Sequence, residues 1–290
     1  MIKIKILIPI YNDWQSVSKL LDEINNLSIN SEFQISTIIV NDASNHDRQD
    51  EEINLDNIYS IKILNMKKNQ GHTRCIATGL KYIYEKEDFD YVIPMDGDGE
   101  DRPEEINDLI NQIKNSNYKP IVGERIKRSE NLLFKVCYQI HKLITLTFTG
   151  KNIKFGNFTC LSKITVEKMI NEKATWNSFS GSLTKVEKDL SSIPSIRGTR
   201  YFGPSKMSFY NLIKHSLSII SVFRKTFLIR SALFVILYIL LIKSNASVIT
   251  AIPLIFLFIA VYSISNLALR ENMEEFEKSL ENINNIDQIK

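Results

Sequence analysis

Residues 91–103 have the sequence YVIPMDGDGEDRP, in which an apolar run is followed by an acidic loop and then by a proline. The apolar run Tyr91–Met95 predicts a buried β-strand. Pro103 favours the first turn of a helix, where the N–H that proline lacks would have no partner. A strand that ends in a polar loop and leads into a helix is the repeating unit of an α/β fold. The stretch therefore predicts helices packed on a parallel sheet.

The same order recurs along the first half of the chain. The predicted strands are Ile4–Pro9, Ile35–Val40 and Ile61–Asn65, and the predicted helices are Val17–Leu27, Thr73–Tyr84 and Pro103–Asn115. Strands that alternate with helices predict a doubly wound, mostly parallel sheet, whose ligands bind beyond the carboxyl ends of the strands. Asn12, Asp42 and Asp96 all fall at such ends.

The alternation weakens after Gly123. The later predicted elements are a strand at Pro120–Gly123, a helix at Leu132–Phe148 and extended segments at Phe155–Leu161 and Ile193–Tyr201. We therefore expect one domain over residues 1–205, with a first half at 1–123 and a second half at 124–205.

Composition and charge narrow the class of protein. A chain of 290 residues has room for one α/β domain, and a net charge of +3 is too small to indicate a nucleic-acid partner. The three cysteines, Cys75, Cys137 and Cys160, lack metal-site spacing, so we expect them to be reduced and buried. Residues 1–9 predict an opening strand rather than a signal peptide, because a long apolar core and a small-residue cleavage site are missing.

Apolar residues are concentrated between 217 and 269. Val248–Leu267 is nearly free of charge and reaches the roughly 20 residues that a helix needs to span a bilayer. Ser231–Ile242 is shorter, and it reaches spanning length only with Phe227–Arg230, whose arginine would extend to the membrane surface. The short loop Lys243–Ser247 turns the two segments into a hairpin.

The flanks of this hairpin predict its orientation. We assign residues 206–226 to an interfacial juxtamembrane helix, 227–267 to the transmembrane hairpin and 268–290 to a tail. Four basic residues on the near flank outnumber the single Lys243 of the loop: Lys214, Arg224, Lys225 and Arg230. This excess predicts that both ends of the hairpin lie in the cytoplasm. The alternative is a buried hairpin in the core of a soluble protein.

The acidic loop has carboxylates at Asp96, Asp98 and Asp101. Residues two apart in an extended loop face the same way, so Asp96 and Asp98 can point into one small volume. Such a pair suits Mg²⁺, which is usually bound by one or two carboxylates together with phosphate oxygens and water. The alternative is a solvated acidic turn that caps the next helix. A calcium EF-hand is excluded because Asp101 and Asn107 stand where that loop requires Gly and Glu.

Other polar residues stand at the predicted strand ends. Asp42 could accept a hydrogen bond from a base or a ribose, or it could form an Asx turn. Residues 69–74 close one strand and open a helix, where Gly71 permits close backbone approach and Arg74 attracts anions. We interpret His72 as a cap or surface histidine rather than a base.

Basic side chains form two further groups. Arg125 and Arg128 could hold a phosphate bidentately, or they could be a solvated charge run. Arg200, Ser205 and Lys206 precede the juxtamembrane helix, where they could bind a lipid phosphate or attract anionic lipids.

Together these motifs resemble glycosyltransferase family 2, and within it the polyprenyl-phosphate glycosyltransferases, which include dolichol-phosphate mannose synthase and GtrB-like bacterial enzymes. Residues 8–13, IPIYND, are similar to the opening VPxYNE, residues 40–44, VNDAS, to VDDGS, and residues 69–71, NQG, to NxG. Residues 96–104, DGDGEDRPE, resemble DADLQDPPE, which is the most specific match, and residues 200–206 resemble RxxGxSK. The likeness covers nearly the whole chain.

The sequence also departs from the family pattern. His72 stands where a lysine is common, Gln70 replaces an apolar or aromatic residue, and Glu100 replaces glutamine. These differences could alter the choice of donor, and they leave the acidic loop intact. The QxxRW motif is absent from the sequence, which argues against a processive polysaccharide synthase.

The resemblance implies a GT-A fold with a nucleotide-sugar and metal half at 1–123 and an acceptor half at 124–205. It implies Mg²⁺ or Mn²⁺ held by Asp98 and Asp96, a UDP- or GDP-linked sugar donor, and a polyprenyl phosphate acceptor. Transfer would be in-line and inverting, on the cytoplasmic face of the bacterial inner membrane. The protein could also form a homo-oligomer.

The resemblance also implies roles for individual residues. The implied nucleotide-sugar contacts are Pro9, Tyr11, Asn12, Asp13, Asp42, Asn69, Gly71, Arg74, Asp96 and Gly97. The implied catalytic group is Asp96, Asp98, Arg125 and Arg128, and the implied acceptor-phosphate contacts are Arg128, Arg200, Ser205 and Lys206.

Three other functions stay open. The same fold could transfer a sugar to a hydroxyl of a glycan or glycolipid, with Glu124 or Glu187 as the base. Haloacid-dehalogenase phosphatases also place Asp-x-Asp-Gly after an apolar strand, although Glu100 and the late position of the motif argue against them. The third possibility is a membrane-anchored protein without catalytic activity.

Overall fold

The computed structural model describes residues 1–46, 48, 55–127, 132–204 and 208–290. The strands are β1 Ile2–Ile10, β2 Phe33–Asn41, β3 Ser60–Met66, β4 Tyr91–Pro94, β5 Ile121–Lys127, β6 Phe155–Ser162, β7 Ser191–Ile196 and β8 Ile283–Gln288. The helices are α1 Trp14–Asn25, α2 His72–Lys86, α3 Glu105–Ser116, α4 Leu132–Thr149, α5 Lys163–Ile170, α6 Phe179–Val186, α7 Phe209–Ser221, α8 Arg224–Ile242, α9 Val248–Ala268 and α10 Met273–Glu277.

The strands form one sheet in the order β7-β5-β6-β4-β1-β2-β3-β8. The pairs β1–β2, β1–β4, β2–β3 and β5–β7 are parallel, so the predicted mostly parallel α/β fold is confirmed. β6 runs antiparallel to β4 and β5, and β8 runs antiparallel to β3. The strand direction in these two places does not follow from the alternation of strands and helices.

Two predicted boundaries are wrong. α3 begins at Glu105, and Pro103 lies in the preceding turn, where its carbonyl accepts a hydrogen bond from Ile106 N at 3.0 Å. The extended segment predicted at 193–201 ends as a strand at Ile196. Residues 197–201 leave the sheet because their backbone contacts the acidic loop instead, as described below.

The sheet separates two apolar clusters. Ile4, Ile6 and Ile8 of β1 face one cluster, which includes side chains of α1 and α3. Leu7 faces the other cluster, which includes side chains of α2, α5 and α6. Successive side chains of a strand point to opposite faces, so one strand contributes to both cores. Cys75 and Cys160 are free thiols in the buried core, as predicted, and the side chain of Cys137 lies outside the described residues.

Glu87 forms a largely buried group of ion pairs with Lys5 and Lys62. Glu87 Oε2 pairs with Lys5 Nζ at 2.8 Å, and its Oε1 pairs with Lys62 Nζ at 2.6 Å. The side chains of Glu87 and Lys5 are only 7% and 8% exposed. Each charge is therefore stabilised by its partner rather than by water.

The two apolar helices α8 and α9 are long and apolar enough to cross a membrane by length and composition. They bury few side chains, namely Phe227, Ser231 and Ile264, so they do not form the buried core of a soluble domain. The loop between them, at 243–247, agrees with the predicted hairpin. The helices therefore present apolar surfaces that the rest of the described chain does not cover.

Arg230 was expected to extend to the membrane surface, and the structure gives it a different partner. Its Nη1 donates hydrogen bonds to the carbonyl oxygens of Leu146 at 3.3 Å and Thr147 at 2.8 Å. These carbonyls end helix α4, where a cation is favoured by the helix dipole. Arg230 therefore joins α4 to the hairpin.

The segment after the hairpin, assigned as a tail from the sequence, folds back onto the domain. Phe276 of α10 is completely buried and stacks on Trp176 with ring centroids 5.4 Å apart. Strand β8 then extends the sheet beside β3. The sheet thus includes a strand from beyond residue 205, the predicted end of the domain.

Candidate active site

The acidic loop after β4 is held in shape by its own hydrogen bonds. Asp96 N donates to Asp101 Oδ2 at 2.9 Å, and Glu100 N donates to Asp98 Oδ1 at 3.0 Å. Gly99 has a φ of +85°, which is strained for any residue with a side chain. Asp101 is 6% exposed, so its role is to brace the loop from inside. Asp96 and Asp98 form the outer part of the loop.

Asp96 faces the start of helix α2. Its Oδ1 lies 2.9 Å from His72 Nε2 and 3.5 Å from Asn157 Nδ2. Burial raises the pKa of Asp96, but the charge and hydrogen bond of His72, together with the charges of Arg197 and Arg125, hold that pKa below its ordinary value. Burial lowers the pKa of His72, but Asp96, with Asp101 and Asp98, outweighs burial, so the pKa of His72 is raised. The two groups therefore stabilise each other as an ion pair.

His72 is a site residue that the sequence analysis missed. It was interpreted as a cap or surface histidine, whereas the fold directs its ring to the acidic loop. The signal in the sequence was the position of His72 in the family pattern. A lysine is common there, and a histidine can also carry a positive charge.

Asp98 faces Arg200. Arg200 Nη1 donates to Asp98 Oδ2 at 2.6 Å, and Arg200 Nη2 pairs with Asp13. Burial and then the charge of Asp96 raise the pKa of Asp98, and Arg200 acts in the opposite direction. One guanidinium thus bridges the β1–α1 loop and the acidic loop.

A short segment, residues 197–201, which we call the strap, lies across the acidic loop. Gly198 N donates to the Glu100 carbonyl at 2.8 Å, and Tyr201 N donates to the Asp98 carbonyl at 2.9 Å. Arg197 also pairs with the Glu100 side chain. The strap therefore connects the end of β7, in the predicted acceptor half, to the predicted metal loop.

Adding a methyl group at Gly198 tests the strap. A Cβ there would lie 2.5 Å from the Gly99 carbonyl oxygen, a backbone atom that cannot rotate away. We expect Gly198→Ala to displace the loop and to lower the activity of this site by roughly tenfold to a hundredfold, because small misplacements of reacting groups are costly. The exposed neighbour Thr199→Ala is the matched control. Wild-type rates for Gly198→Ala would show that the strap does not hold the loop.

Asp42 supports the loop before α2. Its Oδ1 accepts from Gln70 N at 2.6 Å and its Oδ2 from Gly71 N at 2.9 Å, and Asn69 Nδ2 donates to its carbonyl at 3.3 Å. Both carboxylate oxygens thus bind the backbone of this loop, and Asp42 is 4% exposed. Gly71, with a φ of +89°, makes the sharp entry into the helix. The predicted contact with a base or ribose is untested, and the structure gives Asp42 a bracing role.

The β1–α1 loop lies beside these groups. Asn12 has a φ of +53°, and its N donates to Ser44 Oγ at 2.8 Å. Pro9 is paired with Val40 in the sheet, and Tyr11 beyond it is 43% exposed. These residues lie at the carboxyl ends of β1 and β2, as predicted.

Gly97 is the small residue between the two loop aspartates. A Cβ there would meet Ile8 and Val17 at 3.1 Å and Ile10 at 3.3 Å. Glycine therefore lets the acidic loop pack closely over the core, a role separate from its implied contact with the donor.

Arg74 does not join the site. Its Nη2 pairs with Glu275 at 3.0 Å, and its guanidinium lies 4.8 Å from the centre of the Trp176 ring. Residues two apart on a helix project about 200° apart, so Arg74 and His72 face opposite sides of α2. The structure thus gives Arg74 partners other than the acidic loop, and its contact with the donor's phosphates stays a prediction.

The remaining predicted residues that the structure describes are Arg125, Glu124 and Glu187. Arg125 lies against Gly156, and its charge favours the ionised form of Asp96 and Asp101. Glu124 pairs with Lys154 at 2.8 Å, and Glu187 pairs with Lys168 at 3.0 Å. Three predicted residues lie outside the described residues: Arg128, Ser205 and Lys206.

The oxygen donors of the acidic loop fit a divalent cation. Asp96 and Asp98 supply hard carboxylate oxygens from one short loop, which suits Mg²⁺ or Mn²⁺. Within the described ranges, three or more His, Cys, Asp or Glu side chains do not converge as a complete metal cage. An incomplete set agrees with a metal that takes its other ligands from phosphate oxygens and water.

The sequence of the chain is similar to that of known proteins. Residues 5–178 match the family model described as glycosyl transferase family 2. An undecaprenyl-phosphate 4-deoxy-4-formamido-L-arabinose transferase from Klebsiella pneumoniae is 25% identical over 226 residues, which cover 73% of this chain and 64% of the relative. The corresponding Proteus mirabilis protein is 24% identical over 225 residues, with the same 73% and 64% coverage. The chain thus spans under two thirds of the length of these curated relatives.

Solved structures support the fold. Glucosyl-3-phosphoglycerate synthase from Mycobacterium tuberculosis, in complex with Mn²⁺, UDP and glucosyl-3-phosphoglycerate, matches with a TM-score of 0.55 and 12% identity over 77% of this chain and 79% of that chain. S. aureus TarS matches with a TM-score of 0.51 and 11% identity over 96% of this chain and 53% of that chain. At these identities the likeness concerns the fold alone.

Proposed function

Because this chain belongs to glycosyltransferase family 2, we propose that it transfers a sugar from a UDP- or GDP-linked donor to a polyprenyl phosphate at the cytoplasmic face of a membrane. The observation that carries the proposal is the acidic loop, with Asp96 and Asp98 held at a strand end by His72 and Arg200. The curated relatives are named as undecaprenyl-phosphate sugar transferases, which supports this acceptor class.

The proposed metal is Mg²⁺ or Mn²⁺ on Asp98 and Asp96, where it would neutralise the departing diphosphate. The solved relative from M. tuberculosis is described in complex with Mn²⁺ and UDP, which supports this assignment. In this proposal, neighbouring side chains fix the orientation of each of the two carboxylates. His72 orients Asp96, and Arg200 orients Asp98 toward the β1–α1 loop through Asp13.

The proposed reaction is an in-line displacement that inverts the anomeric carbon. An oxygen of the lipid phosphate forms the new bond to this carbon, while the bond to the diphosphate breaks and the nucleoside diphosphate leaves with the electron pair. A lipid phosphate is already anionic, so the chain does not need a general base. Arg125 and Arg200 would hold two phosphates together against their repulsion, and Arg128 and Lys206 are proposed for the same role.

The apolar surface supports an acceptor in the membrane. Helix α4 exposes Ile140 at 52%, Leu143 at 65% and Ile144 at 39%, and its end is bound by Arg230 of the hairpin. α4 also connects β5, which carries Arg125, to β6, which carries Asn157. The strands beside the acidic loop are thus linked through α4 to the proposed membrane anchor.

Transfer of radiolabel tests the function directly. Full-length protein in detergent is incubated with undecaprenyl phosphate, Mn²⁺ and a panel of labelled UDP- and GDP-sugars. We expect label in the organic phase as a phosphate-linked sugar. Label in a product linked through a hydroxyl would instead support the alternative acceptor, and release of inorganic phosphate without sugar transfer would support a phosphatase.

Membrane attachment is a separate prediction. We expect the full-length protein to stay in the membrane pellet after washing with alkaline carbonate and to be released only by detergent, because two apolar helices of about 20 residues span a bilayer stably. A peripheral membrane protein of the same host is the control. Release by carbonate would show that α8 and α9 do not insert.

A further inference from the structure

The segment that returns from the hairpin contacts two elements that end at the proposed donor site. β8 pairs with β3, whose carboxyl end lies beside that of β2. α10 packs against Trp176 and α2, whose first residue contacts the acidic loop. The proposed mechanism uses neither contact.

A row of amides crosses the carboxyl ends of the strands from β8. Asn65 Nδ2 donates to Asp287 Oδ2 at 2.7 Å, and Asn41 Nδ2 donates to Asn65 Oδ1 at 2.8 Å. Ser44 N donates to Asn41 Oδ1 at 3.0 Å, and Asn12 N donates to Ser44 Oγ at 2.8 Å. We call these five residues the amide row. It links the C-terminal strand to both loops beyond β1 and β2.

Asp287 and the backbone N–H of Ser44, which can only donate, agree on the direction of the two side-chain amides between them. An ionised carboxylate can only accept hydrogen bonds, so Asn65 must turn its Nδ2 toward Asp287 and its Oδ1 toward Asn41. Asn41 must then donate through Nδ2, which leaves its Oδ1 to accept from Ser44 N. Asn285 Nδ2 donates to the other carboxylate oxygen of Asp287 at 2.7 Å, which holds that carboxylate in place.

The second contact holds helix α2. Glu275 Oε2 accepts from Trp176 Nε1 at 2.9 Å and pairs with Arg74 Nη2 at 3.0 Å. The Arg74 guanidinium lies over the same Trp176 ring, on which Phe276 also stacks. Glu275 is therefore connected, through Arg74, to the first turn of α2, where His72 contacts Asp96.

We propose that residues 270–288 position the donor-side loops, with Asp287 acting through the amide row and Glu275 acting through Arg74 on α2. Both are positioning residues, since neither contacts the acidic loop itself. The inference rests on the proposed function for its choice of ligand, a nucleoside diphosphate. Because the same segment leaves the hairpin, it also connects the membrane anchor to the donor side of the site.

Donor affinity tests the amide row. Binding of UDP and of GDP, each with Mn²⁺, is measured by calorimetry on full-length protein in detergent. We expect Asp287→Leu to weaken the binding of the nucleotide that wild type prefers by about threefold to tenfold, the effect of one hydrogen bond. Asp287→Asn keeps an acceptor oxygen and should restore most of the affinity. At saturating donor, the turnover of Asp287→Leu should stay within about twofold of wild type, because its effect lies in binding.

Hydrogen exchange tests the same row without a ligand. We expect the peptide that contains Ser44 to exchange faster in Asp287→Leu than in wild type, and at the wild-type rate in Asp287→Asn. Unchanged exchange would overturn the amide row even if the protein binds neither nucleotide. Failure of wild type to bind UDP or GDP, with faster exchange in Asp287→Leu, would instead count against the proposed donor alone.

The contact at α2 has a matched control in the neighbouring acid. Glu275→Leu removes the partner of Arg74 and Trp176, whereas Glu274→Leu removes an exposed acid whose partner is Lys278, the residue directly after α10. We expect Glu275→Leu to raise the KM for donor by about threefold, and Glu274→Leu to leave it unchanged. Equal KM values for both variants and wild type would overturn this half of the inference.

Discussion

We expect Asp98→Asn to lower sugar transfer by at least about a hundredfold, because it removes the carboxylate charge that would hold the metal on the departing diphosphate. Asparagine has nearly the same shape, and its Oδ1 can still accept the hydrogen bond from Glu100 N. Its Nδ2 cannot accept from Arg200 Nη1, so the site loses one negative charge together with the contact to Arg200. Initial rates with Mn²⁺ and labelled donor measure the effect.

The control for Asp98→Asn is Asp108→Asn, which makes the same chemical change at an exposed position on α3. We expect the control to transfer sugar at the wild-type rate. Thermal unfolding of both variants checks that the fold is retained. Full transfer by Asp98→Asn with metal present would contradict the assignment of Asp98 as a metal ligand.

The second large effect is on stability. We expect Glu87→Ala to lower the free energy of unfolding by about 3 to 5 kcal/mol, since it leaves Lys5 and Lys62 without their carboxylate partner. The measurement is thermal unfolding of the full-length protein in detergent. A soluble fragment that ends before the hairpin is not used, because it would lack β8, which belongs to the sheet. The neighbouring Asp88→Ala is the control. Its pair with Lys3 is exposed to water, so Asp88→Ala should unfold at nearly the wild-type temperature.

The effect of Glu87 should also depend on pH. Burial raises the pKa of Glu87, but hydrogen bonds from Lys5 and Lys62 outweigh burial, so its pKa in the folded protein is lowered. A lowered pKa gives stability that is fully present above the pKa of the unfolded chain and is lost as the pH falls through the folded value. We expect the stability difference between wild type and Glu87→Ala to narrow below about pH 4. A difference that grows on acidification would contradict this.

The structure shows why the site needs both halves of the domain. Asp96 and Asp98 follow a central strand, whereas Asn157 and Arg200 come from the later segments. The strap carries Arg200 to Asp98 across 102 positions of the sequence. Contacts from the second half of the domain thus add to the hydrogen bonds within the acidic loop.

Much of the fold was predictable from local patterns. The apolar run before Asp96, the helical spacing after Gly71 and the long apolar segments each depend on neighbours in the chain, and each was located to within a few residues. The family assignment from the motifs is confirmed by the match over residues 5–178. β6 was predicted as a strand without its antiparallel direction, because periodicity shows which residues are buried and not which way a strand runs. β8 was not predicted, since residues 268–290 were assigned to a tail.

The site was predictable in part. Asp96 and Asp98 were found because both carboxylates lie in one loop. The contacts of His72 with Asp96 and of Arg74 with Trp176 were not predicted, since they depend on the rotation of α2 about its axis. The contact of Arg200 with Asp98 also depends on the path of the strap after β7.

The sequence by itself determined the α/β class, the acidic loop, the apolar hairpin and the family, because each is indicated by residues that lie close together in the chain. The tertiary structure alone decided the partners: Arg200 for Asp98, His72 for Asp96, and Asp287 for Asn65. Such contacts join residues far apart in the chain. They depend on strand order, helix rotation and the return of the chain from the hairpin, which local patterns do not record.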